Sequence, residues 1–215
     1  MIMEIAFDIE TLRPCRPSDP SKIVGGVDYA LSWPEEAARD FAGMGIACVV
    51  VQELEYGEEW RYSAETYVSD LDLRIEVQSW LDQSSRYYSF AGDDFDLKLL
   101  RQNGFRLDFA KSFDLRTAIR QALGIPFDGH TGITLDGLAI ANNIEGKSKD
   151  SGAAAPILWQ QGDLDRVING CSGDVRIVRG LVGLVRRDGG LWLPDRGVKI
   201  GSGQRAGWLP LEIPS

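Results

Sequence analysis

The chain has 215 residues, of which 44% are hydrophobic, and it carries a formal net charge of −9 at pH 7. The length suits one globular domain with a sizeable core, and the acidic balance disfavours a protein that coats nucleic acid through non-specific phosphate contacts. No apolar run approaches the ~18 residues of a membrane span, and the N-terminus lacks a signal peptide, so we predict a cytoplasmic protein without membrane association.

The first third of the chain is predicted to hold strands. Residues 2–8 read as a buried strand, and residues 11–35, rich in Pro, Ser, Asp and Gly, as a long loop. A helical stretch follows at 34–42. Residues 45–65 contain a β-branched run, a turn near Gly57 and a second run, which together indicate a β-hairpin.

Helical spacing of apolar residues dominates the middle of the chain. In chain order we predict a helix over 69–83, a short strand over 86–92, and helices over 93–104, 111–124 and 134–143. Ser69 is the predicted N-cap of the first of these helices. Asp93 or Asp94 is predicted to cap the helix over 93–104, which ends at Gly104. Thr134 is predicted to cap the helix over 134–143.

The C-terminal third is predicted to end the helical part of the chain. Two helices are expected there, and the second, over 164–187, is predicted to be interrupted at Gly170 and Gly173. Residues 188–215 are rich in Gly, Pro and Trp and read as a C-terminal tail or hairpin. The order of elements predicts an α/β fold in which helices flank a mixed sheet led by an antiparallel hairpin, with one domain over 1–187.

Acidic side chains lie at the ends of predicted strands and on an apolar helix. Asp8 and Glu10 end the first strand and point to the same face, whereas Ile9 faces the core. Two like charges on one face repel, so either a bound metal ion offsets the repulsion or one of the acids heads a turn. Asp96 follows the strand over 86–92, and Asp174 lies within the apolar spacing of the last helix, where an unpaired acid is costly.

The segments that contain these acids resemble the sequence motifs of a known family. "FDIET" matches the first motif of the DEDD-type 3′–5′ exonucleases of the ribonuclease H-like superfamily and supplies Asp8 and Glu10. "YSFAGDDFDLKLL" is similar to the second motif, with Asp96, and "GCSGDV" to the third, with Asp174. The resemblance covers residues 2–187 and is greatest to predicted exonucleases related to the proofreading domain of family B DNA polymerases.

The resemblance implies a ribonuclease H-like fold and a metal-dependent 3′–5′ exonuclease that acts on nucleic acid with a single-stranded 3′ end. Two Mg²⁺ or Mn²⁺ ions ~4 Å apart would clamp the scissile phosphate. Asp8 would bridge both ions, Glu10 and Asp174 would hold the ion of the attacking water, and Asp96 would hold the other. The sequence does not define protein partners.

The sequence departs from the family pattern at the base that serves the attacking water. The family carries a Tyr four residues, or a His five residues, before the last Asp, and these positions are Gly170 and Asn169 here. Neither side chain is a base near neutral pH. The second motif has Ala91 in place of its usual Asn. We therefore expect a slow or atypical exonuclease or, alternatively, a catalytically inactive pseudo-exonuclease that binds nucleic acid or protein.

Other candidates for functional roles are interpreted as structural. The single histidine, His130, lies in a predicted loop and is read as a surface or capping residue rather than as a substitute base. The sequence has three scattered cysteines, which exclude a disulfide framework and fit a reducing compartment. The remaining candidates are read as loop, strand or packing residues: the loop over 146–152, Tyr87, Tyr88, Cys171, Trp192 and Trp208.

Overall fold

The computed structural model describes most of the chain. The described residues are 3–14, 21, 23–28, 41–66, 70–126, 132–146, 154–194, 199–200, 204–205 and 207–213. The predictions for His130, for the Ser69 cap, for most of the helix over 34–42 and for most of the loop over 146–152 lie outside them. None of the helices in these ranges combines the length and the apolar character that a membrane span requires.

The described chain contains both strands and helices. The strands are β1 Glu4–Thr11, β2 Ile23–Val24, β3 Val27–Asp28, β4 Ile46–Glu53, β5 Glu59–Ser63, β6 Arg86–Ser89, β7 Ser112–Asp114, β8 Gly190–Trp192, β9 Lys199–Ile200, β10 Gln204–Arg205 and β11 Trp208–Pro210. The helices are α1 Phe41–Met44, α2 Asp70–Gln83, α3 Asp96–Gln102, α4 Leu115–Ala122, α5 Leu135–Ala141, α6 Ala155–Gln160 and α7 Leu164–Asp188, and a 3₁₀ turn spans Phe109–Lys111.

A five-stranded mixed sheet forms the centre of the fold. Its strand order is β5-β4-β1-β6-β7. β1 pairs antiparallel with β4 and parallel with β6, while β4 and β5 form the predicted hairpin and β6 and β7 run parallel. The predicted α/β class with a mixed sheet and flanking helices is therefore confirmed. The predicted loop over 11–35 is partly wrong, because β2 and β3 form a short antiparallel hairpin within it.

The sheet separates two layers of apolar side chains. On one face, Ile5, Phe7 and Ile9 of β1 pack with buried residues of α2 and α3. On the other face, Ala6 packs with the buried sides of α4, α5, α6 and α7. Because a strand alternates its faces, Asp8 lies on this second face, under the long helix α7.

α7 is continuous over 25 residues, or about 37 Å. The predicted interruption at Gly170 and Gly173 is wrong. Each helical glycine costs only about 1 kcal/mol relative to alanine, and burial of apolar residues along α7 outweighs that cost. The helix ends at Gly189, whose φ of 77° is the left-handed conformation typical of a helix C-terminus.

Of the predicted caps of α3 and α5, the cap of α5 is confirmed and that of α3 is not. Thr134 caps α5 as expected, since its hydroxyl accepts a hydrogen bond from Gly137 N at 3.1 Å. The cap predicted for α3 is wrong: the helix begins at Asp96 without a side-chain cap. The carboxylate of Asp93 instead accepts a hydrogen bond from the Ser112 hydroxyl at 2.9 Å, because β7 lies beside it.

The residues that follow α7 return to the domain. β8 and β11 pair antiparallel, and the leucines on and beside these strands are buried in the same apolar layer as α7: Leu191, Leu193, Leu209 and Leu211. The indole rings of Trp192 and Trp208 contact each other at a centroid distance of 5.4 Å. The division of the chain at residue 187 stays a prediction.

Candidate metal centre

Asp8 and Glu10 lie in the C-terminal half of β1, on the face that α7 covers. Ile9 between them is buried on the opposite face, at 3% exposure, which is the predicted alternation. Both carboxylates are half-buried. In the neighbouring strand, Val50 lies opposite Asp8 and Cys48 lies opposite Glu10, so apolar side chains border the two acids on that side.

α7 brings a third carboxylate to the same place. Asp174 lies near the middle of the helix and is only 7% exposed, because the helix rests on β1 and β4 there. One carboxylate oxygen from each of Asp8, Glu10 and Asp174 lies within 4.8 Å of the others. Residues that are far apart in sequence thus form a compact cluster of three acids.

Asp96, the first residue of α3, lies beside this cluster but is not among the residues whose carboxylate oxygens lie within 4.8 Å of one another. Its side chain is 4% exposed. Burial raises the pKa of the Asp96 carboxyl well above its usual range, and the nearby charges of Asp8, Asp114 and Asp174 raise it further. The structure therefore places all four predicted acids in one region, with three of them in close contact and the fourth next to them.

The cluster has the donors that a hard divalent cation prefers. Carboxylate oxygens are the usual protein ligands of Mg²⁺, Mn²⁺ and Ca²⁺, and opposite ligands of Mg²⁺ lie about 4.2 Å apart. The three carboxylate oxygens lie no more than 4.8 Å apart, so a small adjustment of the side chains would bring them to the distance between ligands of one ion. A cation bound here would also offset the mutual repulsion of the acids, so the residues present fit such an ion.

The positions of the family's base lie one to one and a half turns before Asp174 on α7. A side chain at Gly170 would meet open space, since no heavy atom beyond the adjoining residues and backbone of the helix lies within 4 Å of a Cβ built there. The exposed Asn169 accepts a hydrogen bond from the Arg61 guanidinium at 3.1 Å. Arg61 in turn pairs with Glu59 at 2.8 Å, so the Asn169 amide belongs to a polar network with these two side chains.

Two buried thiols lie beneath the acids. Cys48 and Cys171 are both free and fully buried, and Cys171 is a core residue, as predicted. Burial raises the pKa of the Cys171 thiol, and the contact with Cys48 and the charges of Asp8 and Glu10 raise it further. We therefore regard Cys171 as a neutral packing group.

Sequence reasoning missed one acid near the site, Asp114. It ends β7, is 4% exposed, and burial raises the pKa of its carboxyl. Its charge is one of those that act on Asp96. The available signal was its position: "SFD" ends a short strand that runs parallel to β6, and the ends of parallel neighbours meet at one edge of a sheet.

Tyr87 and Tyr88 are buried residues of β6, as predicted. They are 1% and 0% exposed. Burial raises the pKa of both phenols to about 12. Both phenols therefore stay protonated near neutral pH, and their rings do not offer a surface on which bases could stack.

Comparison with known proteins identifies similar structures but no similar sequences. No protein-family model matches the chain, and no curated protein matches it. The family B DNA polymerase from the hyperthermophilic archaeon Pyrobaculum calidifontis aligns with a TM-score of 0.57 and 16% identity, over 86% of this chain and 25% of the polymerase. The Nibbler EXO domain of Aedes aegypti aligns with a TM-score of 0.50 and 9% identity, over 86% of this chain and 79% of that domain.

The chain thus spans a quarter of the polymerase, and at these identities the likeness concerns the fold. In this chain that fold is a five-stranded mixed sheet flanked by helices. The resemblance to DEDD-type exonucleases that the sequence motifs indicated is confirmed at the level of the fold, and the protein has a ribonuclease H-like fold.

Proposed function

We propose that the protein is a divalent-cation-dependent 3′–5′ exonuclease that acts on nucleic acid. The observation that carries this proposal is the acid trio: Asp8, Glu10 and Asp174 converge from β1 and α7 to within 4.8 Å. The fold shared with a polymerase and an EXO domain supports it. When bound at such a site, two Mg²⁺ or Mn²⁺ ions activate a water molecule and stabilise the leaving oxygen of a phosphodiester.

The four acids divide into two groups in this proposal. Asp8, Glu10 and Asp174 hold the ion on the side of the attacking water, because they form the compact trio. Asp96 shares the second ion with Asp8, because its charge interacts with that of Asp8 although it lies outside the trio. A bound cation favours the ionised form of Asp96 and so reverses the effect of burial on its pKa.

The lack of a side chain at Gly170 determines how fast we expect hydrolysis to be. A positioned general base typically contributes 10²–10⁴-fold, and neither Gly170 nor Asn169 supplies one. Electrostatic stabilisation and activation of water remain available without it. We therefore expect slow hydrolysis of single-stranded ends. We also propose a reducing compartment such as the cytoplasm, because Cys48 and Cys171 are adjacent free thiols.

A binding protein is the second candidate function. It is favoured by the network at the base position, where the amide of Asn169 is held by Arg61. Arg61 lies on the same face of the sheet as Asp8, two strands and about 10 Å away, and its guanidinium is suited to contact phosphate. In this case the site would hold a nucleic-acid end or a protein without cleaving it.

The test is incubation of the pure protein with single-stranded DNA and RNA, labelled at either end, in millimolar Mn²⁺ or Mg²⁺. We expect stepwise shortening of 5′-labelled strands and release of labelled mononucleotide from 3′-labelled strands. Asp174→Asn should abolish both, whereas Asp165→Asn, the same change at an exposed position of the same helix, should abolish neither.

Two outcomes would contradict the exonuclease. Equal nucleotide release by wild type and Asp174→Asn would trace the activity to a contaminant. Retention of intact oligonucleotide, with cation-dependent binding, would establish the binding protein instead.

A further inference from the structure

The turn that leads into Asp96 has a strained backbone. Ala91 has a φ of 66°, the left-handed region that costs an L-residue other than glycine roughly 1–2 kcal/mol. Gly92, the next residue, lies so close to the site that a Cβ there would be 3.3 Å from the Asp96 carboxylate. Such strain persists only where surrounding groups hold the backbone in place.

Asp114 is the group that holds this turn. Its Oδ2 accepts a hydrogen bond from Asp93 N at 3.1 Å, and its carboxylate also accepts from the N–H of Ala91. Its Oδ1 accepts from Thr117 N at 2.7 Å, which caps α4. One buried carboxylate therefore ties the turn before Asp96 to the start of another helix.

Capping α4 alone does not explain a buried carboxylate at this position. Serine, threonine or asparagine caps a helix about as well as aspartate, and Thr134 does so for α5. The negative charge of Asp114 also acts unfavourably on Asp96. What a carboxylate offers beyond a cap is a second oxygen, and that oxygen is the one that the turn uses.

We propose that Asp114 is a positioning residue: it fixes the turn over 91–94 and thereby sets the Asp96 carboxylate where it can share the second divalent cation with Asp8. This inference rests on the proposed function. It concerns the ion that Asp96 holds and not the one held by the trio, because the hydrogen bonds that Asp114 accepts in the described part of the chain come from the turn, the end of β6 and α4.

The test is Asp114→Asn with Asp108→Asn as its matched control. Asparagine keeps the shape and the capping ability, but whichever way its amide is turned, one set of N–H donors then faces an amide nitrogen. Asp108 also caps a helical turn, accepting from Ala110 N at 3.1 Å, but it is exposed and does not contact the Asp96 turn.

Two measurements are made on the whole, metal-free protein. Amide hydrogen exchange over 91–95 should be at least tenfold faster in Asp114→Asn and unchanged in Asp108→Asn. In Mn²⁺ titration calorimetry, Asp114→Asn should weaken one of two binding events by about 10–100-fold, the usual effect of removing an outer-shell partner, and leave the other unchanged. Asp96→Asn should weaken the same binding event.

The outcomes separate the inference from the function on which it rests. Wild-type exchange, or wild-type affinity for both ions, in Asp114→Asn would overturn the positioning role. Equal weakening of both ions would overturn it as well, since a general loss of structure acts on the whole site. Absence of Mn²⁺ binding to wild type would contradict the proposed function instead, and the exchange rates would then decide by themselves whether Asp114 anchors the turn.

Discussion

Gly170 offers a direct perturbation of the missing base. It lies inside α7, four residues before Asp174, so a side chain placed there is on the same face of the helix as that acid. Nothing within 4 Å obstructs a Cβ at this position. Gly170→Ala should therefore gain about 1 kcal/mol of helix stability, which corresponds to about 2–4 °C in melting temperature for a chain of this size.

Gly170→Tyr also removes the helical glycine and, in addition, supplies a phenol at the position of the missing base. Tyrosine is a weaker helix former than alanine, so the gain in stability should shrink to about 0.3–0.5 kcal/mol. Its phenol can orient the attacking water, and we expect nucleotide release at least about tenfold faster than in Gly170→Ala, a part of the 10²–10⁴-fold that a positioned base contributes.

The assay compares initial rates of nucleotide release by wild type, Gly170→Ala and Gly170→Tyr on one single-stranded oligonucleotide with Mg²⁺, together with thermal unfolding of each. Gly183→Ala is the control for the backbone effect, since Gly183 lies on the same helix and also faces open space. A folded Gly170→Tyr protein that is no faster than Gly170→Ala would refute the missing-base explanation of this site.

Three further predictions concern the acids and the turn beside them. Asp8→Ala should abolish nuclease activity yet slightly raise the melting temperature in EDTA, because it removes one of several repelling charges; a clearly lower melting temperature would show that Asp8 has a structural role. Because burial raises the pKa of the Asp96 carboxyl above its ordinary value of 3.8, the folded state keeps a proton that the unfolded chain releases. The stability of the metal-free protein should therefore fall as pH rises above that value, and urea unfolding across pH should show a smaller fall in Asp96→Asn. Ala91→Gly should raise the free energy of unfolding by about 0.5–1 kcal/mol, which is the net of relieving the left-handed backbone and of the entropy that glycine adds to the unfolded chain. In the same assay, the control Ala118→Gly within α4 should lower the free energy of unfolding by about 1 kcal/mol.

The sequence predicted best what depends on neighbouring residues. The hairpin of β4 and β5 follows from two β-branched runs around a turn, and the cap at Thr134 follows from its position before an apolar run. Alternation along β1 placed Ile9 in the core, opposite Asp8. Each of these depends on periodicity or on a local hydrogen bond, which the order of residues specifies.

The errors arose where distant segments compete with local rules. Asp93 does not cap α3, because the Ser112 hydroxyl binds its carboxylate. Gly170 does not interrupt α7, because burial along the whole helix outweighs the propensity of one residue. Asp114 was missed because its importance comes from the N–H groups of the turn over 91–93, some twenty residues earlier in the chain.

The same limit applies to the candidate site. Spacing alone indicates that Asp8 and Glu10 share a face, but it cannot indicate that Asp174 approaches them, since more than 160 residues intervene. The motif resemblance grouped the acids, and the crossing of α7 over β1 supplies the distance. Their roles in catalysis stay a proposal that depends on cation binding.

Anomalous diffraction at the manganese edge, from crystals soaked in Mn²⁺, tests that binding most directly. We predict one peak within bonding distance of the carboxylates of Asp8, Glu10 and Asp174, and a second between Asp8 and Asp96, about 4 Å from the first. Crystals that show no manganese at these carboxylates after soaking at millimolar concentration would contradict the metal centre and the hydrolytic function that we derive from it.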